Sequence, residues 1–145
     1  MAFLVDTNVI SETLKPRPSA RVIAWFGDQR SNDLFLASMS LGELLRGAHR
    51  VKDKVKRERF KRWIHHDLAA QFQGRILPFD QEAAVIWGEI MGDGDRKGRP
   101  KSMGDAQIAA VARRHDLTLV TRNTRDFTDM GVALIDPWKP GASSS

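Results

Sequence analysis

The chain has 145 residues, about the length of a single domain, and it contains no cysteine. Disulfides, thiolate zinc sites, iron–sulfur clusters and a cysteine nucleophile are therefore excluded. Hydrophobic residues make up 41% and charged residues 28% of the chain, as in an ordinary globular domain. The formal net charge of +5 favours a polyanionic partner. No apolar run approaches the ~18 residues of a membrane-spanning helix, and no basic leader opens the chain, so we expect a cytoplasmic protein with no membrane partner.

Short apolar runs alternate with segments of helical periodicity along the whole chain. The runs predict strands at residues 3–5, 34–37, 75–79, 117–121 and 132–135. Helices are expected between them, at residues 9–14, 20–26, 40–47, 50–72, 81–91 and 105–115, with a glycine- and proline-rich loop at residues 92–100. This alternation predicts an α/β fold with a mostly parallel central sheet flanked by helices. We expect one domain over residues 1–138 and a short flexible tail over residues 139–145.

Acidic residues stand where a parallel sheet would gather them. Asp6 ends the first strand, Asp126 follows the clearest strand, and Glu43 and Asp105 lie at the beginnings of predicted helices. Carboxylates that converge on one place repel one another, and a divalent cation relieves that repulsion. Hard oxygen ligands select magnesium or manganese over zinc. The pattern therefore predicts a metal site suited to phosphoryl-transfer chemistry.

The same acids also have purely structural interpretations. Ser40 and Glu43 have the spacing of a capping box, and so do Ser102 and Asp105. Asp6 could simply cap a helix or shape a turn. A charge directly at the end of a buried strand is unfavourable without a partner, however, which favours a functional role for Asp6.

Four short motifs follow one another along nearly the whole chain: Leu4–Val9, Ser40–Leu44, Gly104–Ala110 and Leu119–Phe127. No single one is very specific, but together, in this order and at these spacings, they resemble the motifs of PIN-domain ribonucleases and in particular of VapC-type toxins. Two further segments look like the FitB branch of that family: Gly74–Asp80 and Asp136–Trp138.

The resemblance implies a single PIN-like domain with a parallel sheet flanked by helices. It also implies that Asp6, Glu43 and Asp105 are catalytic residues that bind the metal, Mg²⁺ or Mn²⁺. No histidine or other conventional general base lies within the motifs, so the metal is expected to activate the attacking water.

The fourth acidic position of the family is often an aspartate, but in this chain it is Asn123. Two possibilities stay open, and both residues involved are candidate catalytic residues. Either Asn123 orients the metal or its water, or Asp126 supplies the missing charge. Thr7 and Ser40 are expected to place hydroxyl groups behind the metal ligands, by resemblance and by position.

The activity implied by the resemblance is that of a magnesium-dependent endoribonuclease, the toxin of a toxin–antitoxin pair. It would hydrolyse RNA phosphodiesters and leave 5′-phosphate and 3′-hydroxyl ends. The implied partners are an RNA substrate, a second copy of the chain in a homodimer, and a small antitoxin of the VapB or FitA kind in a hetero-oligomer. That antitoxin is expected to push an arginine into the acidic pocket and to carry the complex onto DNA.

Two other functions compete with this one. The first is a weakly active or inactive PIN-like binding module that acts through its antitoxin-bound complex, and Asn123 is its main support. The second is a phosphatase-like hydrolase of small phosphate esters, against which the basic surface argues, because a small substrate needs no extended positive field. The basic run at residues 52–62 either is a solvated helix face or contacts RNA.

Overall fold

Five short parallel strands form the central sheet of the computed structural model, which describes residues 1–141. Their spatial order is β3-β2-β1-β4-β5, and the register pairs Leu4 with Phe35 on one side and with Leu119 on the other. The predicted α/β fold with a parallel sheet is therefore confirmed. The strands are β1 (Phe3–Val5), β2 (Leu34–Ala37), β3 (Ile76–Leu77), β4 (Thr118–Val120) and β5 (Leu134–Ile135).

Strand β1 lies in the middle of the sheet and is completely buried. Its side chains alternate between two hydrophobic cores: Phe3 and Val5 pack on one face, and Leu4 packs on the other. A strand covered on both faces reads as a continuous apolar run, which is why residues 3–5 carry no polar position. The next residue, Asp6, is the first on this strand that leaves the core.

Helices cover both faces of the sheet, giving three layers. One core joins Phe3 and Val5 to the helices of the first half of the chain, whereas the other joins Leu4 to α6 and α7. The helices are α1 (Thr7–Glu12), α2 (Ala20–Gly27), α3 (Ser38–His49), α4 (Lys54–Arg62), α5 (Ala69–Gln71), α6 (Gln81–Arg96) and α7 (Met103–Arg114), with a π-helical segment at Trp63–Leu68.

The single long helix predicted for residues 50–72 is confirmed only in part, because residues 54–71 are continuously helical but residues 50–53 lie outside the helix. Helix α3 ends near Arg50, and Asp53 begins α4 by accepting a hydrogen bond from the Lys56 N–H at 3.1 Å. The π-helical segment then separates α4 from α5. In an α-helix of 3.6 residues per turn, residues spaced four apart point in successively different directions. The wider turn of the π-helix keeps three such apolar residues on the side that faces the core. They are Ile64, Leu68 and Phe72.

The loop predicted for residues 92–100 is also wrong over its first half, because α6 continues to Arg96. Glycine serves here for close approach rather than as a helix breaker: a Cβ on Gly94 would lie 2.7 Å from the carbonyl oxygen of Arg99. The Arg99 N–H donates to the Gly94 carbonyl at 2.8 Å. The helix ends where Gly98 takes a φ of +68°, a conformation that glycine adopts without a steric penalty.

The other predicted elements are found with boundaries shifted by a few residues, and the strand predicted at 75–79 is only two residues long. Of the predicted tail, Lys139 closes a turn by donating its N–H to the Asp136 carbonyl at 3.2 Å. Residues 142–145 of that tail lie outside the described residues. Within residues 1–141, none of the helices combines the length and apolar character needed to cross a bilayer.

Candidate active site

Asp6 is held at the carboxyl edge of the sheet by hydrogen bonds to both of its carboxylate oxygens. Its Oδ1 accepts from the Thr7 N–H at 2.8 Å, so Asp6 caps α1. Its Oδ2 accepts from the Thr121 hydroxyl at 2.8 Å, across 115 positions of sequence. Since Thr121 directly follows β4 and Asp6 directly follows β1, the parallel pairing of these strands sets both side chains at one edge.

The Thr121 hydroxyl is a fully used hydrogen-bonding centre. A hydroxyl has one donor and two acceptor sites; here the donor goes to Asp6, while the Asn8 amide and the Asn123 backbone N–H donate to the oxygen at 3.3 and 3.1 Å. Asn8 in turn accepts from the Arg122 N–H at 3.3 Å. This network fixes the loop after β4 against the start of α1.

Glu43 lies on α3, but not in the capping box that its spacing suggests. The helix begins at Ser38 after Ala37, which makes no side-chain cap. Ser40 is therefore inside the helix and buried, with no hydrogen-bond partner for its hydroxyl in the part of the chain that the structure describes. Glu43 therefore does not cap the helix, and it lies about one turn beyond the start of α3.

Asp105 lies in the first turn of α7, and here the capping interpretation holds in part. The Ser102 hydroxyl accepts from the Asp105 N–H at 3.3 Å and caps the helix. The Asp105 carboxylate is half-buried, and the positive end of the helix dipole favours a negative charge at this place.

These side chains line one cavity of about 430 Å³. Its wall carries four carboxylates, from Asp6, Glu12, Glu43 and Asp105, and two basic side chains, from Lys15 and Arg122. The structure thus brings the three predicted metal-binding acids together, from three elements far apart in sequence. The remaining lining residues are Thr7, Asn8, Ser11, Ile108, Asn123 and Trp138.

The carboxylates of the cavity perturb one another. Burial raises the pKa of Asp6 against the opposing effect of its two hydrogen bonds, and the charge of Asp126 adds to the rise. Burial also raises the pKa of Glu43, with the charges of Asp6 and Asp105 contributing. The pKa of Asp105 is raised by burial first and then by the charges of Asp126 and Asp6. Acids that disfavour one another's ionisation in this way gain from a bound cation.

Asn123 and Asp126 occupy different places relative to the cavity. Asn123 is one of its lining residues. Asp126 lies on the 3₁₀ turn Thr124–Phe127, exposed and beyond the wall, yet its charge reaches Asp6 and Asp105. That one of these two residues completes the metal site stays a prediction.

The carboxylate oxygens of the cavity suit a hard divalent cation. The acidic side chains do not, however, lie as close together as the ligands of a bound metal ion do. No group of three acidic or histidine side chains among residues 1–141 has the geometry of a formed metal site. Glu43 is exposed, so its side chain can rotate toward Asp6 and Asp105. The hydroxyls of Thr7 and Ser40 are buried and have no partner among the described residues, and of these two residues Thr7 lines the cavity.

Sequence reasoning missed several residues of this cavity. Thr121 was detectable, because it ends the strand beside β1 and so had to face Asp6. Arg122 directly follows Thr121 and was detectable in the same way. Lys15 and Trp138 carry no comparable signal, because they reach the cavity from the turn after α1 and from the C-terminal stretch. Thr121 was missed as the hydrogen-bond partner of Asp6, and the missed lining residues are Asn8, Ser11, Glu12, Lys15, Ile108, Arg122 and Trp138.

The family model described as PIN domain matches residues 3–133. The chain therefore belongs to the PIN-domain family, as the motifs predict. It is similar to Toxin FitB of Neisseria gonorrhoeae, with 36% identity over 93% of this chain and 97% of that protein. It is also similar to VapC ribonuclease Y4jK of Sinorhizobium fredii, with 32% identity over 94% of this chain and 98% of that protein.

Two solved structures have the same fold. The crystal structure of FitAcB from Neisseria gonorrhoeae matches with a TM-score of 0.89 and 36% identity, over 94% of this chain and 98% of that one. The structure of FitAB bound to an IR36 DNA fragment matches with a TM-score of 0.88 and 34% identity, over 94% and 96%. The predicted similarity to FitB and VapC toxins is thus confirmed over nearly the whole chain.

Proposed function

We propose that this chain is a magnesium-dependent endoribonuclease and the toxin of a toxin–antitoxin pair. The observation that carries the proposal is the meeting of Asp6, Glu43 and Asp105 in one cavity at the carboxyl edge of a parallel sheet. Its support from relatives is that one is named a toxin and another a VapC ribonuclease. An acidic cavity in a chain with a net charge of +5 suits metal-assisted cleavage of a polyanion.

Each side chain has a defined task in this proposal. Asp6, Glu43 and Asp105 would hold Mg²⁺ or Mn²⁺, which supplies Lewis-acid polarisation of a phosphodiester oxygen and activation of the attacking water. The Thr121 hydroxyl fixes the Asp6 carboxylate in one orientation. Asn123 stands at the wall with an amide that can orient water.

The direct test uses the purified chain, freed of any partner, with end-labelled single-stranded RNA and MgCl₂. We expect cleavage that chelation by EDTA abolishes, and product ends with 5′-phosphate and 3′-hydroxyl groups. Asp105→Asn should lower the rate by about 10²-fold or more, since losing a metal-binding group removes several kcal/mol of transition-state stabilisation. The matched control is Asp95→Asn, because Asp95 is an exposed residue of α6 away from the cavity lining. Undiminished cleavage in excess EDTA would refute the metal mechanism.

A groove on another face, whose smaller cavity is mainly apolar, supports an antitoxin partner. Two adjoining cavities of about 460 and 360 Å³ share Leu14 and Trp63 in their linings. Leu14 and Ile23 are 41% and 44% exposed, and Lys56 and Arg59 border the smaller cavity. A short apolar segment flanked by acidic residues would match this groove in shape and charge. Since the matched FitAB structure holds a partner named together with FitB, we propose an antitoxin segment as the occupant and, through the antitoxin, binding to DNA.

The groove is tested by co-expression with the product of the short open reading frame expected next to this gene. Leu14→Glu should prevent the two proteins from purifying together, whereas RNA cleavage by the free variant should stay at the wild-type level. Val55→Glu is the matched control, because Val55 is 66% exposed and does not line either cavity. Unchanged co-purification of Leu14→Glu would place the antitoxin elsewhere.

The binding-module alternative keeps two observations in its favour. The fourth acidic position is Asn123, and the described acids are not drawn together at ligand spacing. Such a module would form the antitoxin complex but show no EDTA-sensitive cleavage, so the RNA assay separates it from the nuclease. A phosphatase would hydrolyse a small aryl phosphate, which the nuclease would leave intact.

A further inference from the structure

Two cations stand at the rim of an acidic cavity, and the proposed metal chemistry uses neither of them. Lys15 comes from the turn after α1, and Arg122 comes from the loop after β4. The acids of the cavity repel a polyanion, so a strand of RNA that approaches them needs positive charge close by. The rim cations supply it at the point of chemistry.

Lys15 is tied to the cavity wall through a buried acid. Its Nζ lies 2.9 Å from the Glu12 carboxylate, and Glu12 also accepts from the Ser19 N–H at 2.8 Å. Glu12 is 5% exposed, whereas the Lys15 side chain is 56% exposed. The acid therefore fixes the position of the ammonium and offsets part of its charge, which makes Lys15 the weaker of the two cations.

Arg122 is held by stacking, and the Glu12 carboxylate interacts with its charge without forming a direct ion pair. Its guanidinium carbon lies 5.0 Å from the centre of the Trp138 ring, and within residues 1–141 no carboxylate forms an ion pair with it. The backbone of Trp138 is fixed in turn, because its backbone N–H donates to Asp136 Oδ1 at 2.9 Å. A guanidinium stacked on one face keeps its in-plane N–H donors available for two parallel bonds to a phosphate.

We propose that Arg122, stacked on Trp138, binds an RNA phosphate adjacent to the one that is cleaved and so sets the strand across the acidic cavity. This inference rests on the proposed nuclease function. Arg122 contacts substrate in this arrangement, Trp138 is a positioning residue that orders the guanidinium, and Lys15 makes a weaker second contact. Binding the phosphate in this way requires the planar guanidinium of arginine and the aromatic ring beneath it. General positive charge on the surface does not supply this geometry.

The experiment measures RNA binding and cleavage separately. Binding of fluorescein-labelled single-stranded RNA is followed by anisotropy over a range of salt in an Asp105→Asn background, which suppresses cleavage. Arg122→Gln should weaken binding about tenfold, the worth of one charge-assisted contact, and reduce the slope of log Kd against log salt by about 0.7. In the background with Asp105 intact, the same change should raise KM while kcat stays near wild type.

The matched control is Arg30→Gln, which removes the same charge from an exposed position before β2, away from the acidic cavity and outside the basic run of residues 52–62. Equal weakening by Arg30→Gln and Arg122→Gln would mean that general charge draws the RNA, and would overturn the proposal. Loss of kcat at unchanged KM in Arg122→Gln would also overturn it. If wild type cleaves no RNA, the proposed function fails instead, so the two failures are distinguishable.

The role of Trp138 is tested without changing charge. Trp138→Leu should raise KM several-fold, and Trp138→Phe should restore most of the affinity because it keeps an aromatic face under Arg122. Thermal unfolding of both variants separates this effect from lost packing. Equal KM values for the leucine and phenylalanine variants would refute stacking as the source of the orientation.

Discussion

Replacing Thr121 by valine tests whether its hydroxyl organises the site. Valine keeps the branched shape but cannot donate to Asp6 or accept from Asn8 and Asn123. The bond to the Asp6 carboxylate is charge-assisted and is worth about 1.5–3 kcal/mol. The other two donors belong to residues that keep access to water, so their loss adds less. We expect Thr121→Val to lower the free energy of unfolding by about 2–3 kcal/mol.

The control is Thr121→Ser, which keeps the hydroxyl and removes one methyl group from a fully buried position. This change should lower the free energy of unfolding by about 1 kcal/mol. Both variants are compared by urea unfolding in EDTA, where bound metal makes no contribution, and by RNA cleavage in MgCl₂. Cleavage should fall more for Thr121→Val than for Thr121→Ser. If the valine variant is as stable and as active as the serine variant, the hydroxyl does not hold Asp6 in place and our account of the network is wrong.

Four further predictions concern the metal site, the oligomeric state and the stability of the protein. Asp6→Asn should weaken Mn²⁺ binding measured by calorimetry. Equal Mn²⁺ affinity of the variant and the wild type would show that Asp6 does not bind the metal. Asp126→Ala should weaken cleavage at limiting magnesium, with Asn123→Asp restoring part of it in the double variant; a silent Asp126→Ala beside an inactive Asn123→Ala would assign the role to Asn123. Light scattering should give twice the 16.3 kDa chain mass, and a monomer at assay concentrations would contradict the expected homodimer. Asp80 caps α6, and the hydrogen bond from the Ala83 N–H is the main cause that lowers the pKa of Asp80 from its ordinary value of 3.8. The ionised carboxylate therefore stabilises the fold fully above pH 3.8, and this stabilisation is lost as the pH falls through the lowered pKa. Asp80→Ala should therefore reduce the melting temperature at pH 7 but not in strong acid, and an equal reduction at both would show that the carboxylate charge does not matter.

The acids of the site are readable from sequence because strand geometry places them. Asp6 interrupts an apolar run that is buried on both faces, and the parallel register carries it to the same edge as the residues that follow β4. The capping-box spacing around Glu43 misleads, because packing buries Ser40 inside α3 and moves the helix start to Ser38. Local spacing cannot show which of two serines the core will enclose.

Features set by distant contacts are not readable in this way. The helical period over residues 50–72 is real, but the sequence does not show that the helix widens at its π-helical segment to keep Ile64, Leu68 and Phe72 on the core side. The glycines near Gly94 look like a loop until the chain at Arg99 folds back against them. Arg122 and Trp138 lie on two separate segments that meet only in the folded chain. No short-range sequence pattern predicts this contact.

The hydrogen bond between Asp6 and Thr121 joins positions 115 residues apart, and this separation sets an order of events during synthesis. The ribosome releases Asp6 first, but β1 acquires its β4 neighbour only after four-fifths of the chain has been made. A nascent or prematurely terminated chain therefore exposes the basic α4 surface without the assembled acidic cavity. A nuclease of the proposed kind would therefore gain its activity only when its own synthesis is nearly finished.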